Sequence, residues 1–199
     1  MKAIKKVIIL ISIFCIIGCS KDESPIAAPT PVAFRDEMPI PTFYANAGFN
    51  NVASLLGQPP FEVGLTFKPL EYGVIKAITI KLPAFNRNRI TLWDKATGTA
   101  LLTWRVPILS SDVVNGMEYV VPLDTPFALT KNKEYILSMN ADNFYMRSNG
   151  GPDRPYPYNV GSVQILNYIE SPTGLAQVMP SIIFGNYVTG DLGFKFQRI

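Results

Sequence analysis

Apolar and polar residues alternate along most of this chain with a period of two. Phe61, Val63, Leu65 and Phe67 interleave with Glu62, Gly64, Thr66 and Lys68. Ile78, Ile80 and Leu82 flank Thr79 and Lys81, and Met117, Tyr119, Val121 and Leu123 form another face. Tyr135, Leu137 and Met139 repeat the pattern, as do Leu192, Phe194 and Phe196. Each run predicts a strand with one buried face. Turn-forming residues separate the runs: Lys95-Ala96-Thr97-Gly98, Asn115-Gly116, Lys131-Asn132-Lys133 and Asn149-Gly150-Gly151-Pro152. A short helix is expected only within residues 45–56, a stretch that itself holds Gly48 and the pair Asn50-Asn51. Many short strands at near-regular spacing imply an all-β fold, an antiparallel β-sandwich of jelly-roll type, in one domain over residues 46–199.

The first forty residues are of another kind. Met1-Lys2-Ala3-Ile4-Lys5-Lys6 is a basic opening without an acid, and residues 7–18 form an apolar run interrupted only by Ser12. Twelve residues suit a signal-peptide core and fall short of the roughly 20 that span a bilayer. The run ends Ile16-Ile17-Gly18-Cys19, which resembles the bacterial lipobox. That resemblance implies a leader over 1–18, cleavage before Cys19, and lipid on Cys19. Two or three acyl chains, at about 0.8 kcal/mol per buried CH₂, anchor a protein without a spanning helix. Ser20-Lys21-Asp22-Glu23-Ser24 looks like the surface-export signal of Bacteroidota lipoproteins, which implies an outer-membrane protein facing the cell exterior. Five prolines within residues 25–41 read as a semi-rigid tether, so residues 19–45 are expected to link lipid to domain.

Charge and composition narrow the function. Three of the 18 basic residues lie in the leader, and the remaining 15 balance the 15 acids. No basic excess supports nucleic-acid binding. The two cysteines are Cys15, lost with the leader, and Cys19, and histidine is absent. The mature domain therefore has no disulfide, no thiol nucleophile, no Ser-His-Asp or Cys-His chemistry and no ordinary zinc site. An enzyme would have to work with carboxylate, Tyr or Lys groups or an oxygen-ligated cation. Asp94, Asp112, Asp142 and Asp153 are oxygen donors for calcium, but no D-x-D-x-D loop is present and each acid suits a turn. No cofactor is expected.

From Glu62 onward the chain resembles the bacterial family catalogued as domain of unknown function 4082. The residues that carry the likeness are Glu62-Val63-Gly64-Leu65-Thr66-Phe67, the isoleucine-rich residues 75–82, and Ile90-Thr91-Leu92-Trp93-Asp94-Lys95-Ala96-Thr97-Gly98-Thr99-Ala100-Leu101. Thr125-Pro126-Phe127-Ala128-Leu129 with Tyr135, and Asn186-Tyr187-Val188-Thr189-Gly190-Asp191-Leu192-Gly193-Phe194, complete it. The L-W-D-x-x-T-G piece is the most specific. The resemblance implies a β-sandwich module of the sort found beside carbohydrate-active or adhesive domains, hence a binding or accessory role.

Candidate ligand-binding residues follow from chemistry. Trp93 and Trp104 are possible sugar-stacking platforms, although indoles usually pack inside, and Trp104 shares a face with Leu102 and Val106. Residues 145–158 gather Tyr145, Arg147, Asp153, Arg154, Tyr156 and Tyr158. Aromatic faces, planar guanidinium groups and a carboxylate are what polyol recognition uses. The plainer use of the segment is a proline-stiffened connection with tyrosines over a sheet edge. Three functions stay open: a non-catalytic glycan-binding or accessory lipoprotein, an adhesion module with a protein partner, and a carboxylate-based glycoside hydrolase.

Overall fold

The structure, a computed structural model of the chain, describes residues 34–85, 87–107, 117–151 and 155–199. The leader, Cys19, Asp112, the Asn115-Gly116 turn, Asp153 and Arg154 lie outside them. A helix, α1 (Pro39–Asn46), precedes the strands β1 (Asn51–Leu55), β2 (Phe61–Pro69), β3 (Gly73–Lys81), β4 (Arg87–Asp94), β5 (Ala100–Pro107) and β6 (Tyr119–Leu129). The chain continues through β7 (Tyr135–Ala141), β8 (Phe144–Ser148), β9 (Tyr158–Val160), β10 (Val163–Thr173), β11 (Ile182–Phe184), β12 (Tyr187–Thr189) and β13 (Asp191–Arg198). The five alternating runs coincide with β2, β3, β6, β7 and β13.

Every pairing is antiparallel. One layer is a seven-stranded sheet in the order β11-β10-β2-β7-β4-β5, with β9 added along β10. Two three-stranded sheets, β13-β3-β6 and β1-β8-β12, lie against it. The rings of Phe67 and Phe194 meet 4.7 Å apart across one pair of sheets, and Phe61 and Phe144 4.9 Å apart across the other. The protein is thus an all-β sandwich. Its core is a continuous apolar cluster between the layers. β12 passes into β13 at Gly190, whose φ of 84° lies in the left-handed region. That backbone conformation is what the kink needs glycine for; a Cβ there would also press on the Met139 tip at 2.8 Å, which can shift. β6 is the outer strand of its sheet and carries Pro122 and Pro126, which remove donors from an exposed edge.

Expectations about the start of the domain, its helix and its boundary, are corrected first. The helix is α1, not a segment of residues 45–56, where β1 lies instead. The folded unit begins at Phe34, so residues 34–45, grouped with the tether for their prolines, belong to the sandwich. The reason is positional. A proline in the first helical turn removes an N–H that has no partner there anyway. Ile40, Phe43 and Tyr44 then bury one face of an eight-residue helix too short to persist without packing. The second correction concerns the outer face of the seven-stranded sheet, which alternation assigned to solvent. Glu62, Thr66, Thr91, Ser138 and Asn140 are all buried. Residues 174–180 fold across that face and cover it.

Candidate functional site

The open side of the sandwich is closed by the start of the domain. Glu37 bridges to Phe196 through backbone bonds in both directions (2.7 and 2.9 Å), extending the β13 edge. Its carboxylate accepts bonds from the Ser162 amide and hydroxyl at the start of β10. α1 follows and packs against β13, β9 and β10. A cavity of about 310 Å³ is left between α1 and the strands, at the small end of the range for small-molecule sites.

Its walls come from five places in the chain. α1 supplies Tyr44, and Phe49 and Asn50 follow it. β8 supplies Arg147, β13 supplies Asp191 and Gly193, β3 supplies Thr79 and Lys81, and Glu118 precedes β6. Arg147 donates to both oxygens of Asp191, Nε to Oδ1 at 2.5 Å and Nη2 to Oδ2 at 2.6 Å. Nη1 reaches the Phe49 carbonyl at 3.5 Å, and the guanidinium lies 5.4 Å from the Tyr44 ring centre. This bidentate pair holds Arg147 protonated, above even its high ordinary value. Burial, reinforced by the Asp191 charge, pushes the Tyr44 phenol well above its usual range, so it stays a neutral donor. The Tyr44 hydroxyl donates to the Gly190 carbonyl at 3.3 Å.

Thr79 is the group without an obvious structural use. It is 0 % exposed, and its hydroxyl has no hydrogen-bond partner among the described residues. The hydroxyl sits beside Gly193, where a Cβ would come within 2.7 Å of it; the missing side chain lets β13 pack closely on Thr79, Ile40 and Pro41. A buried hydroxyl without a partner costs about 1–3 kcal/mol, which a ligand hydroxyl would offset.

No family model and no curated protein matches this chain. Its motifs are therefore interpreted by their places in the fold. The L-W-D-x-x-T-G piece is the β4–β5 hairpin. Asp94 Oδ1 accepts from the Ala96 and Thr97 amides at 3.0 and 3.3 Å, and Lys133 Nζ lies 2.7 Å from Oδ2. The Lys133 bond, with the two amides, holds the Asp94 carboxyl below its usual range. These residues build a turn. Among the described residues no three acids gather as a cation site.

The predicted ligand residues separate. Tyr145 and Arg147 share a face of β8; Arg147 lines the cavity and Tyr145 does not, although Lys81 Nζ of the cavity wall lies 5.7 Å from its ring centre. Asp191 and the Phe49 carbonyl take three of Arg147's five N–H donors, so it builds the wall more than it reaches for a ligand. Tyr156 and Tyr158 turn to the other flank of α1, packing on Phe43 with ring centres 5.5 and 5.4 Å away, the first tilted and the second edge-on. They serve the core, and burial raises the Tyr156 phenol far above its ordinary value. Trp93 lies on the outer face of the other layer, packed with Ile136, Ile169 and Met179, with Nε1 donating to Ser138 at 2.7 Å. At 4 % exposure it offers no stacking surface as it stands. Trp104 packs against the main core, as its face predicted. Thr79, Lys81 and Tyr44 were missed. A polar residue between Ile78 and Ile80 reads as solvent-facing, and Tyr44 lay in a stretch taken for tether. Asp191 had a signal, the aspartate of the terminal family-like strand.

Proposed function

We propose that this chain is a lipid-anchored surface module that binds a glycan and does not transform it, with the cavity beside α1 as its seat. The observation that carries this reading is a cavity of about 310 Å³ with a tyrosine ring in its wall and, buried against that wall, the Thr79 hydroxyl, which no described residue satisfies. A sugar ring supplies hydroxyls that both donate and accept, and C–H faces that pack on aromatics. The two carboxylates at the cavity support binding over hydrolysis. Asp191 is held at both oxygens by Arg147, which leaves Glu118 without the second free carboxyl that glycoside hydrolysis uses. The leader, the lipobox-like ending and Cys19 support the anchor, and the run after Cys19 supports an outward-facing outer-membrane position. Among the described residues no helix is long and apolar enough to cross a membrane.

Glycan-array binding by the purified chain tests the reading. Thr79→Val keeps the shape and removes the hydroxyl. Affinity should fall about tenfold, while Tm stays level or rises by about 2 °C because an unpaired polar group is gone. An array with no binder, or a binder indifferent to Thr79→Val, would remove the cavity from the account. The anchor has its own test. Cys19→Ala should abolish labelled-palmitate incorporation and release the protein from the membrane fraction; unchanged labelling would refute it.

A further inference from the structure

The outer face of the seven-stranded sheet is covered in an unusual way. Glu62, Arg89, Thr91, Trp93, Ser138 and Asn140 are buried there, yet among the described residues no helix or sheet lies on them. A strap, residues 174–180 between β10 and β11, does the covering. It is pinned at its ends by backbone bonds, Gly174 N–H to the Pro60 carbonyl at 2.7 Å and Ser181 N–H to the Glu170 carbonyl at 3.0 Å. Between them the sheet holds it by its polar atoms. Arg89 donates to the Leu175 and Ala176 carbonyls at 2.7 and 2.9 Å, and Asn140 donates to the Gly174 carbonyl at 3.0 Å. The Gln177 amide donates to the Thr91 and Thr103 hydroxyls at 3.2 and 2.8 Å.

Three features set this strap apart from a segment that seals a core. Its own apolar side chains point away: Leu175 is 73 % and Val178 50 % exposed. Met179 reaches down onto Trp93, Ile136 and Ile169, and Pro180 is buried at the strap's end. The sheet also keeps a donor the strap does not use, because Arg89 Nε is buried without a partner among the described residues. Lifting the strap would uncover Met179 and Pro180 but not Leu175 or Val178, and would free a set of fixed donors and acceptors around an indole face.

We propose that this face is a second ligand site, distinct from the cavity beside α1, and that the strap occupies it in cis until a neutral polysaccharide chain displaces it. The chemistry fixes the ligand class. An incoming molecule must present several acceptors to Arg89 and Asn140, donors to Thr91 and Thr103, and an apolar face to Trp93. A sugar chain carries all three on each residue. The Arg89 charge is met by Glu62 at 2.8 Å, so the site favours no strong anion. Because the closed state must open first, the strap lowers the apparent affinity by the fraction of molecules that are open.

Trp93 makes the proposal readable, since the chain has only two tryptophans. In a Trp104→Phe background the emission of Trp93 is followed while dextran, xylan or laminarin is added to the purified chain. At least one should change the emission and its quenching by iodide. Gln177→Ala removes two bonds that hold the strap and leaves the sheet intact; it should tighten that binding roughly tenfold. Thr79→Val should leave the Trp93 response unchanged, which separates this site from the cavity. If Trp104→Phe fails to fold, calorimetry on the chain with Trp104 intact gives the same comparison for Gln177→Ala. The proposal falls if none of the three polysaccharides produces a signal with either strap, or if Gln177→Ala weakens binding.

Discussion

Gly64→Ala is expected to lower the stability of the protein by about 3 kcal/mol or more, at the upper end for an added core methyl. Gly64 lies mid-strand in β2, paired with Ser138 of β7 on one side and Ile169 of β10 on the other. A Cβ there would stand 2.3 Å from the Leu137 carbonyl oxygen and 2.7 Å from Ser138 Cα. Both are backbone atoms, so no rotamer relieves the clash; the strands must move apart. That movement carries Ser138 away from Glu62 and Trp93, which its hydroxyl joins at 2.7 Å each. For a domain of this size the loss corresponds to a fall in Tm of roughly 10 °C. Thermal unfolding followed by near-ultraviolet circular dichroism measures it. A change under about 2 °C would mean that the central sheet yields more readily than its pairing implies.

The second large effect belongs to the ion pair under the strap. Arg89→Ala should cost about 3–5 kcal/mol near neutral pH, because it strands a carboxylate that is 1 % exposed. Burial already raises Glu62 above its ordinary value of 4.5, against the opposing pull of the Ser138 and Arg89 bonds. For an acid raised by folding, the protonated form is favoured in the native state. Its stabilising contribution is complete below the unfolded value and is lost as pH rises through the folded one. Removing Arg89 takes away a lowering influence and pushes Glu62 further up. The deficit of Arg89→Ala relative to the parent should thus be smallest near pH 4 and grow toward pH 7, as urea titrations at several pH values would show. A deficit independent of pH would mean that water replaces the guanidinium and keeps Glu62 ionised. Glu62→Leu combined with Arg89→Met should recover most of the loss, since an apolar pair leaves no buried charge.

The sequence by itself determined the strand content, through residues whose neighbours in the chain set their state. Phe61 to Phe67 alternate because a pleated strand sends successive side chains to opposite faces, and that pattern is local. The hairpin at Asp94 was equally local, its aspartate bonding amides two and three residues on. What covers each face was not. Alternation marks Glu62 and Thr79 as polar, and polar reads as exposed; only the strap and the helix, brought in from distant positions, bury them. Arg147 read as a ligand group until Asp191, 44 residues away, took the Nε–Nη2 edge of its guanidinium. Trp93 read as a platform until Met179 was laid over it. α1 was hidden among prolines because its stability comes from Ile40 and Phe43 in the core and not from its own eight residues. Periodicity follows from backbone geometry, which adjacent residues decide. Burial and charge pairing follow from contacts between segments far apart in the chain, and those exist only once the layers have closed.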